Sequence, residues 1–235
     1  MRHLIMFSLL ILLLVAVQFS KAQSVDEIIN HHLDALGGKE KLLTLKTVKM
    51  EASMNMQGMD IGIVTTIANG IGSRVDISVP GMGEGYQILG KEKGWNFMPF
   101  QGQTSPEESP AEDVKFSQTT LDIQSPLLNY KEKGHTVELL GKETVDKVEC
   151  YKIKLTAKTG KMVTYFIDTK TYMKVKTLGK AKPGDAEEME ISYTDFKKNG
   201  DGYTFPYSQT SARGTLNFST IETNKPVDEK IFSAN

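Results

Sequence analysis

Cysteine is nearly absent: Cys150 is the single one among 235 residues. That excludes an internal disulfide and any zinc site built from several thiolates. Cys150 stands in VECYKIKL, a strand-like run, where it reads as a small core residue with no base to activate it. Excess charge is absent too. The formal net charge is −1, which removes the electrostatic case for nucleic acid or an anionic membrane as partner. The chemical signatures of the common enzymes are also missing. There is no G-x-S-x-G, no H-E-x-x-H, no Walker loop and no G-x-G-x-x-G. GMGEG (81–85) is glycine-rich, but it follows Pro80 between two strand patterns and opens no helix, so it reads as a turn. His31 and His32 are neighbours on a helix pattern, about 100° apart, and diverge instead of chelating one ion. With His135 they read as solvated or rim histidines. Glu107-Glu108 and Glu187-Glu188 read as solvated turn charges. Lys174, Lys176 and Lys180 read as a stripe on one strand face, turned to solvent or guarding an edge. No cofactor, no metal and no catalytic residue is expected, and the protein reads as a non-enzyme.

Long apolar runs are missing except at the start, where Leu4 to Val17 is apolar apart from Ser8. Arg2 precedes the run, and Ser20-Lys21-Ala22 offers small residues for cleavage after Ala22. This is the anatomy of a signal peptide (1–22). The run is short for a spanning helix, which needs about 20 residues. A retained N-terminal anchor is the alternative. A bacterial lipoprotein needs cysteine as its first mature residue, whereas Gln23 stands there, so no stable membrane anchor is expected. Residues 23–235 form one domain in this reading, and its expected location is the periplasm.

Ser24 with Glu27 makes a capping box, and Ile28, Ile29, Leu33 and Leu36 lie on one helical face ended by Gly37-Gly38. A shorter helix is expected over 39–45. From Lys46 the apolar period changes to two. Strand patterns cover 46–56, 61–68, 71–79, 85–90 and 94–99, and Asn69-Gly70 is a strong hairpin signal. A polar loop over 100–112 precedes a helical reading of Asp113 to Leu128, stopped near Pro126. Strands resume at 135–140, 148–155, 162–168, 172–179, 188–196, 203–210 and 215–223. The order predicts a mainly β (α+β) fold: one large curved antiparallel sheet, with N-terminal and mid-chain helices covering its concave face.

The first strand pattern, KTVKMEASMNM, places Val48, Met50, Ala52, Met54 and Met56 on one face. Methionine repacks cheaply around irregular apolar shapes, whereas a rigid core gains more from Ile, Val and Leu. The pattern fits a surface for a flexible apolar ligand, or a methionine-rich core beneath the helices. Trp95 and Phe97 suit either a core layer or a cavity wall.

Three stretches together resemble a known group. LDALGGKEKLLTLKTVKM leads a helix straight into a strand. VDKVECYKIKLTAKTGKMVTYFIDTKTYMKVK carries a strand pair ending on an Ile-Asp-Thr-Lys-Thr-Tyr turn. VDEKIFSAN closes the chain. Over nearly the whole mature length the chain resembles the outer-membrane lipoprotein-sorting protein-like family (the LolA/LolB-like fold) of exported Bacteroidetes-type proteins. The resemblance implies an unclosed β-barrel whose helices form a lid over an apolar cavity. It implies an acyl-chain lipid or lipoprotein as ligand, with another envelope protein as a possible partner. The ligand-binding residues would be Val48, Met50, Met54, Met56, Ile61, Ile63, Trp95 and Phe97. Carriers of the family latch the lid with an inward arginine. The positional candidate here is Arg74, which alternation with Val75 and Ile77 turns toward solvent. A filled-core module for protein contacts or stress sensing is the alternative function, and a hydrolase with an unrecognised site a weaker one.

Overall fold

The computed structural model describes residues 23–56 and 58–234. The apolar N-terminal segment and the expected cleavage after Ala22 lie outside the described residues. Helix α1 spans Val25–Ala35 and α2 spans Lys39–Leu43. Ser24 caps α1, its hydroxyl accepting from the Glu27 amide at 3.1 Å. Two glycines with positive φ, Gly37 and Gly38, end it, and the Gly38 amide returns to the Leu33 carbonyl at 3.0 Å. Glycine takes this left-handed turn without the steric cost a Cβ would bring.

The first meander comprises β1 (Thr47–Met56), β2 (Met59–Ala68), β3 (Gly72–Val79), β4 (Gly83–Gly90), β5 (Gly94–Phe97) and the two-residue β6 (Glu107–Glu108). Helix α3 (Ala111–Ser117) runs into a 3₁₀ turn over Gln118–Leu121. The second meander is β7 (Thr136–Val145), β8 (Val148–Thr156), β9 (Met162–Asp168), β10 (Lys174–Gly179), β11 (Met189–Lys198), β12 (Thr204–Ser211) and β13 (Gly214–Thr223). All thirteen strands form one antiparallel sheet, ordered β6-β5-β4-β3-β2-β1-β13-β12-β11-β10-β9-β8-β7. The two meanders meet where β1 pairs with β13, and β6 and β7 remain as free edges, so the barrel is not closed.

Two local expectations change. The helix expected from Asp113 to Leu128 starts at Ala111 and leaves α geometry after Ser117. Beyond Leu121 the chain instead serves the Asn69-Gly70 turn: the Gly70 amide donates to the Leu121 carbonyl, and Asn69 Oδ1 accepts from the Ile123 amide. The polar 100–112 loop contains β6, which pairs with Trp95 and Asn96.

The main core lies on the inner face of the sheet. Ile28, Ile29 and Leu33 of α1 pack with Leu127, Leu128, Ile153, Leu155 and Ile167, and Val48 and Ile221 close the seam between the meanders. The outer face carries two smaller clusters, Val145–Cys150–Phe166 and Ala68–Ile88–Phe232. Cys150 is fully buried, and burial pushes its thiol up to about 11, so it is an inert packing residue. Phe232 comes from the C-terminal turn and lies on the glycine-lined patch of β3 and β4, where a Cβ on Gly72 would fall 2.5 Å from its ring.

His32 corrects the rim-histidine expectation. It is buried to 3% exposure in α1, and its Nδ1–H donates to the Tyr172 carbonyl at 2.7 Å. His31 is exposed, its ring 4.7 Å from Tyr172. Burial lowers the His32 pKa from 6.5 to about 4, so the folded protein holds it neutral. The unfolded chain binds that proton near pH 6.5 and the folded chain only near pH 4, so protons favour unfolding across this interval. The expected result is a loss of roughly 3 kcal/mol of stability as pH falls through it. Denaturant melts at stepped pH values check this, and His32→Gln should flatten that part of the profile.

Candidate functional site

A cleft of about 830 Å³ opens on the inner face between the two arms of the sheet. Val75 (β3), Leu89 (β4) and Asn96 (β5) form one wall, and Val163, Tyr165, Thr177, Ile191 and Tyr193 of β9 to β11 form the other. Val114 and Ser117 of α3 roof it, while Glu107–Pro110 and Lys180–Lys182 border its mouth. Strands this far apart in the sheet share a cleft only because the sheet curls. Backbone irregularities at Glu51/Ala52, Leu139/Lys142 and Lys174/Lys176 supply local bends. The volume falls in the range of ligand sites, about 300–1,000 Å³.

The walls are apolar with polar points. Thr177 Oγ1 and Tyr193 Oη are hydrogen-bonded at 3.0 Å, and Lys174 Nζ stands 3.8 Å from the centre of the Tyr193 ring. Tyr165 is buried, and desolvation raises its phenol pKa. Lys161 Nζ lies 5.2 Å from the Phe116 ring centre, and burial pushes its ammonium pKa down. Among the described residues, no three His, Cys, Asp or Glu side chains converge to hold a metal.

The eight residues expected from sequence do not come together. In the strand register Met54 stands opposite Ile61 and Ala52 opposite Ile63, so Val48, Met50, Met54, Met56, Ile61 and Ile63 share the inner face. Val48 is buried and Met50 packs against the main core beneath α1. Met54 lies against the Gly214 turn, and Met56 is 39% exposed at the hairpin tip. Trp95 and Phe97 pair with Ile88 and Tyr86, which places them on the outer face. Trp95 packs there near Phe232, and it alone of the eight borders the cleft.

The lysine stripe on β10 also resolves differently. Lys174 pairs with Ile167 and Lys176 with Phe166, so one extra residue, Val175, is bulged between them. Lys174 therefore faces the cleft, whereas Lys176 lies outside, over the Phe166 ring and bonded to Glu190 at 3.2 Å. Sequence alternation carried no sign of that bulge. The fixed turn Ile-Asp-Thr-Lys-Thr-Tyr just upstream was the available signal that the strand enters out of phase.

No protein-family model matches the sequence, and no curated protein matches it. Solved structures do match. A LolA superfamily protein of Nitrosomonas europaea aligns over 88% of this chain and 96% of its own, at 15% identity and a TM-score of 0.56. A DUF1329 family protein of Desulfovibrio piger aligns over 87% and 97%, at 14% identity and TM-score 0.54. The chain has a LolA-like fold. A domain of Vibrio parahaemolyticus described as outer-membrane lipoprotein-sorting adds a third match, over 88% and 95%, at 14% identity and TM-score 0.51.

In this LolA-like sheet Arg74 does not reach the interior. Its Nε pairs with Asp76 at 2.7 Å, its guanidinium lies 4.4 Å from the Tyr86 ring centre, and Nη1 donates to the Ile231 carbonyl at 3.4 Å. Alternation placed it on the outer face correctly. There the C-terminal turn covers it, so it clamps that turn instead of standing in solvent. Among the described residues no helix is long and apolar enough to cross a membrane.

Proposed function

We propose that the protein binds a lipid-like ligand in the cleft between its two arms and carries or presents it in the periplasm, without catalysing a reaction. The observation that supports this best is the cleft itself: about 830 Å³ of space on the inner face of a LolA-like sheet, beside the core packed under α1. Apolar burial along Val75, Leu89, Val163 and Ile191 would supply affinity at ~25 cal/mol per Å². The methionine face of β1 is proposed as an adaptable extension toward the hairpin tip, where Met56 and Met59 are 39% and 40% exposed. Native mass spectrometry of protein taken from a bacterial periplasm without detergent tests the reading. A bound mass that solvent extracts as an amphiphile is the expected result. A clean apo mass, repeated after incubation with lipids and lipopeptides, would overturn it in favour of a filled-core module for protein contacts.

A further inference from the structure

Most strand lysines of the second meander have a carboxylate partner, on either face: on the inner face Lys142 pairs with Glu149 at 2.8 Å and Lys197 with Asp195 at 2.7 Å. On the outer face Lys152 pairs with Glu143 at 2.8 Å, Lys154 with Glu138 at 2.7 Å and Lys176 with Glu190 at 3.2 Å. Lys161 and Lys180 line the cleft, and among the described residues neither stands within ion-pair distance of a carboxylate. They sit together: Val163 pairs with Gly179, so both lysines lie just beyond the same end of the β9–β10 pair. The cleft's carboxylates come from the other side. Glu108 is taken by Lys93 at 3.1 Å, Asp113 stands 3.9 Å from Lys182, and Glu107 is exposed.

Resting on the binding function proposed above, we propose that the ligand of this cleft is an anionic amphiphile. Lys161 and Lys180 bind its acidic group at the mouth, and its apolar body lies along Val163 and Ile191 with Val75 and Leu89 facing. A half-buried cation without a counter-charge is costly, and an acidic ligand group supplies what the fold leaves out. Lys161 fits that role: burial depresses its pKa with no carboxylate to restore it, and the Phe116 ring holds the side chain at the mouth. The chemistry recognised is a single-chain acid, carboxylate or phosphate.

The test is calorimetric titration with laurate, dodecyl phosphate and uncharged monolaurin, each below its micelle-forming concentration, on the parent, Lys161→Met, Lys180→Met and Lys161→Arg. The acids should bind at least about tenfold more tightly than monolaurin. Each methionine variant should lose about tenfold for the acids only, and Lys161→Arg should retain binding. A preference for laurate or for dodecyl phosphate identifies which acid the mouth is built for. Equal binding of monolaurin, or an acid preference that survives both methionine variants, overturns this inference and leaves the cleft as an apolar site. No binding of any probe overturns the cleft reading itself.

Discussion

A Val75→Trp/Ile191→Trp double variant loses ligand uptake by a factor on the order of a hundred or more, while its unfolding midpoint stays close to the parent's. Val75 and Ile191 stand on opposite walls, β3 and β11, and both are half-buried only because the space between them is open. Indoles placed there occupy that space without displacing core neighbours, so the overpacking cost of a closed interior does not arise. Uptake of a fluorescent acyl probe and a thermal melt on the same samples separate the two effects. A Met54→Gln/Met56→Gln pair supplies the contrast. Met54 and Met56 stand at the hairpin tip, outside the cleft, so this pair should weaken binding far less. Uptake that survives the tryptophans and fails with the glutamines would move the ligand to the methionine face.

The fold was legible because its signals are local. Period-two runs, Asn69-Gly70 and the Ser24 and Gly37-Gly38 stops each act within a few residues, and each marks an element that forms, although β7 runs to Val145 past its expected end at 140 and β10 begins at Lys174 instead of 172. The cleft was not legible because it is made by sheet geometry. Alternation told which β1 residues share a face with Met54, but that face also supplies the core at Val48, directly under α1. Whether an inner-face position meets a helix or open space depends on how far the sheet has curled by that strand. Trp95 shows a second limit. Its apolar character suited either face, and only pairing with Ile88 decides that it joins the outer cluster. Lys174 shows a third, since the extra residue at Val175 inverts the face of everything upstream on that strand.

Ile28→Asp should unfold the protein, at a cost above about 4 kcal/mol, whereas Val114→Asp should leave a folded chain. The contrast bears on which helix can uncover the interior. Ile28 is 0% exposed, and Ile29 and Leu33 beside it are 3% exposed, all within the main core. A carboxylate at position 28 would be buried with no partner, and α1 could escape only by leaving Leu128 and Ile153 without their packing. Hydrogen bonds add to this attachment: Asp26 accepts from Tyr130 at 2.7 Å, and Gln23 bridges Tyr151 and Tyr172. Helix α1 is therefore a structural plug. Helix α3 is seven residues long, lacks a side-chain cap at Pro110 and buries only Val114. It roofs the cleft with little of its surface committed to the core, which is the energetic position of a cover that opens locally. Hydrogen exchange distinguishes them. Amides of α1 should exchange only through global unfolding, and those of α3 through an opening of much lower free energy. An α3 as protected as α1, or a folded Ile28→Asp with an unchanged melt, would reverse the assignment and make the N-terminal helix the moving lid.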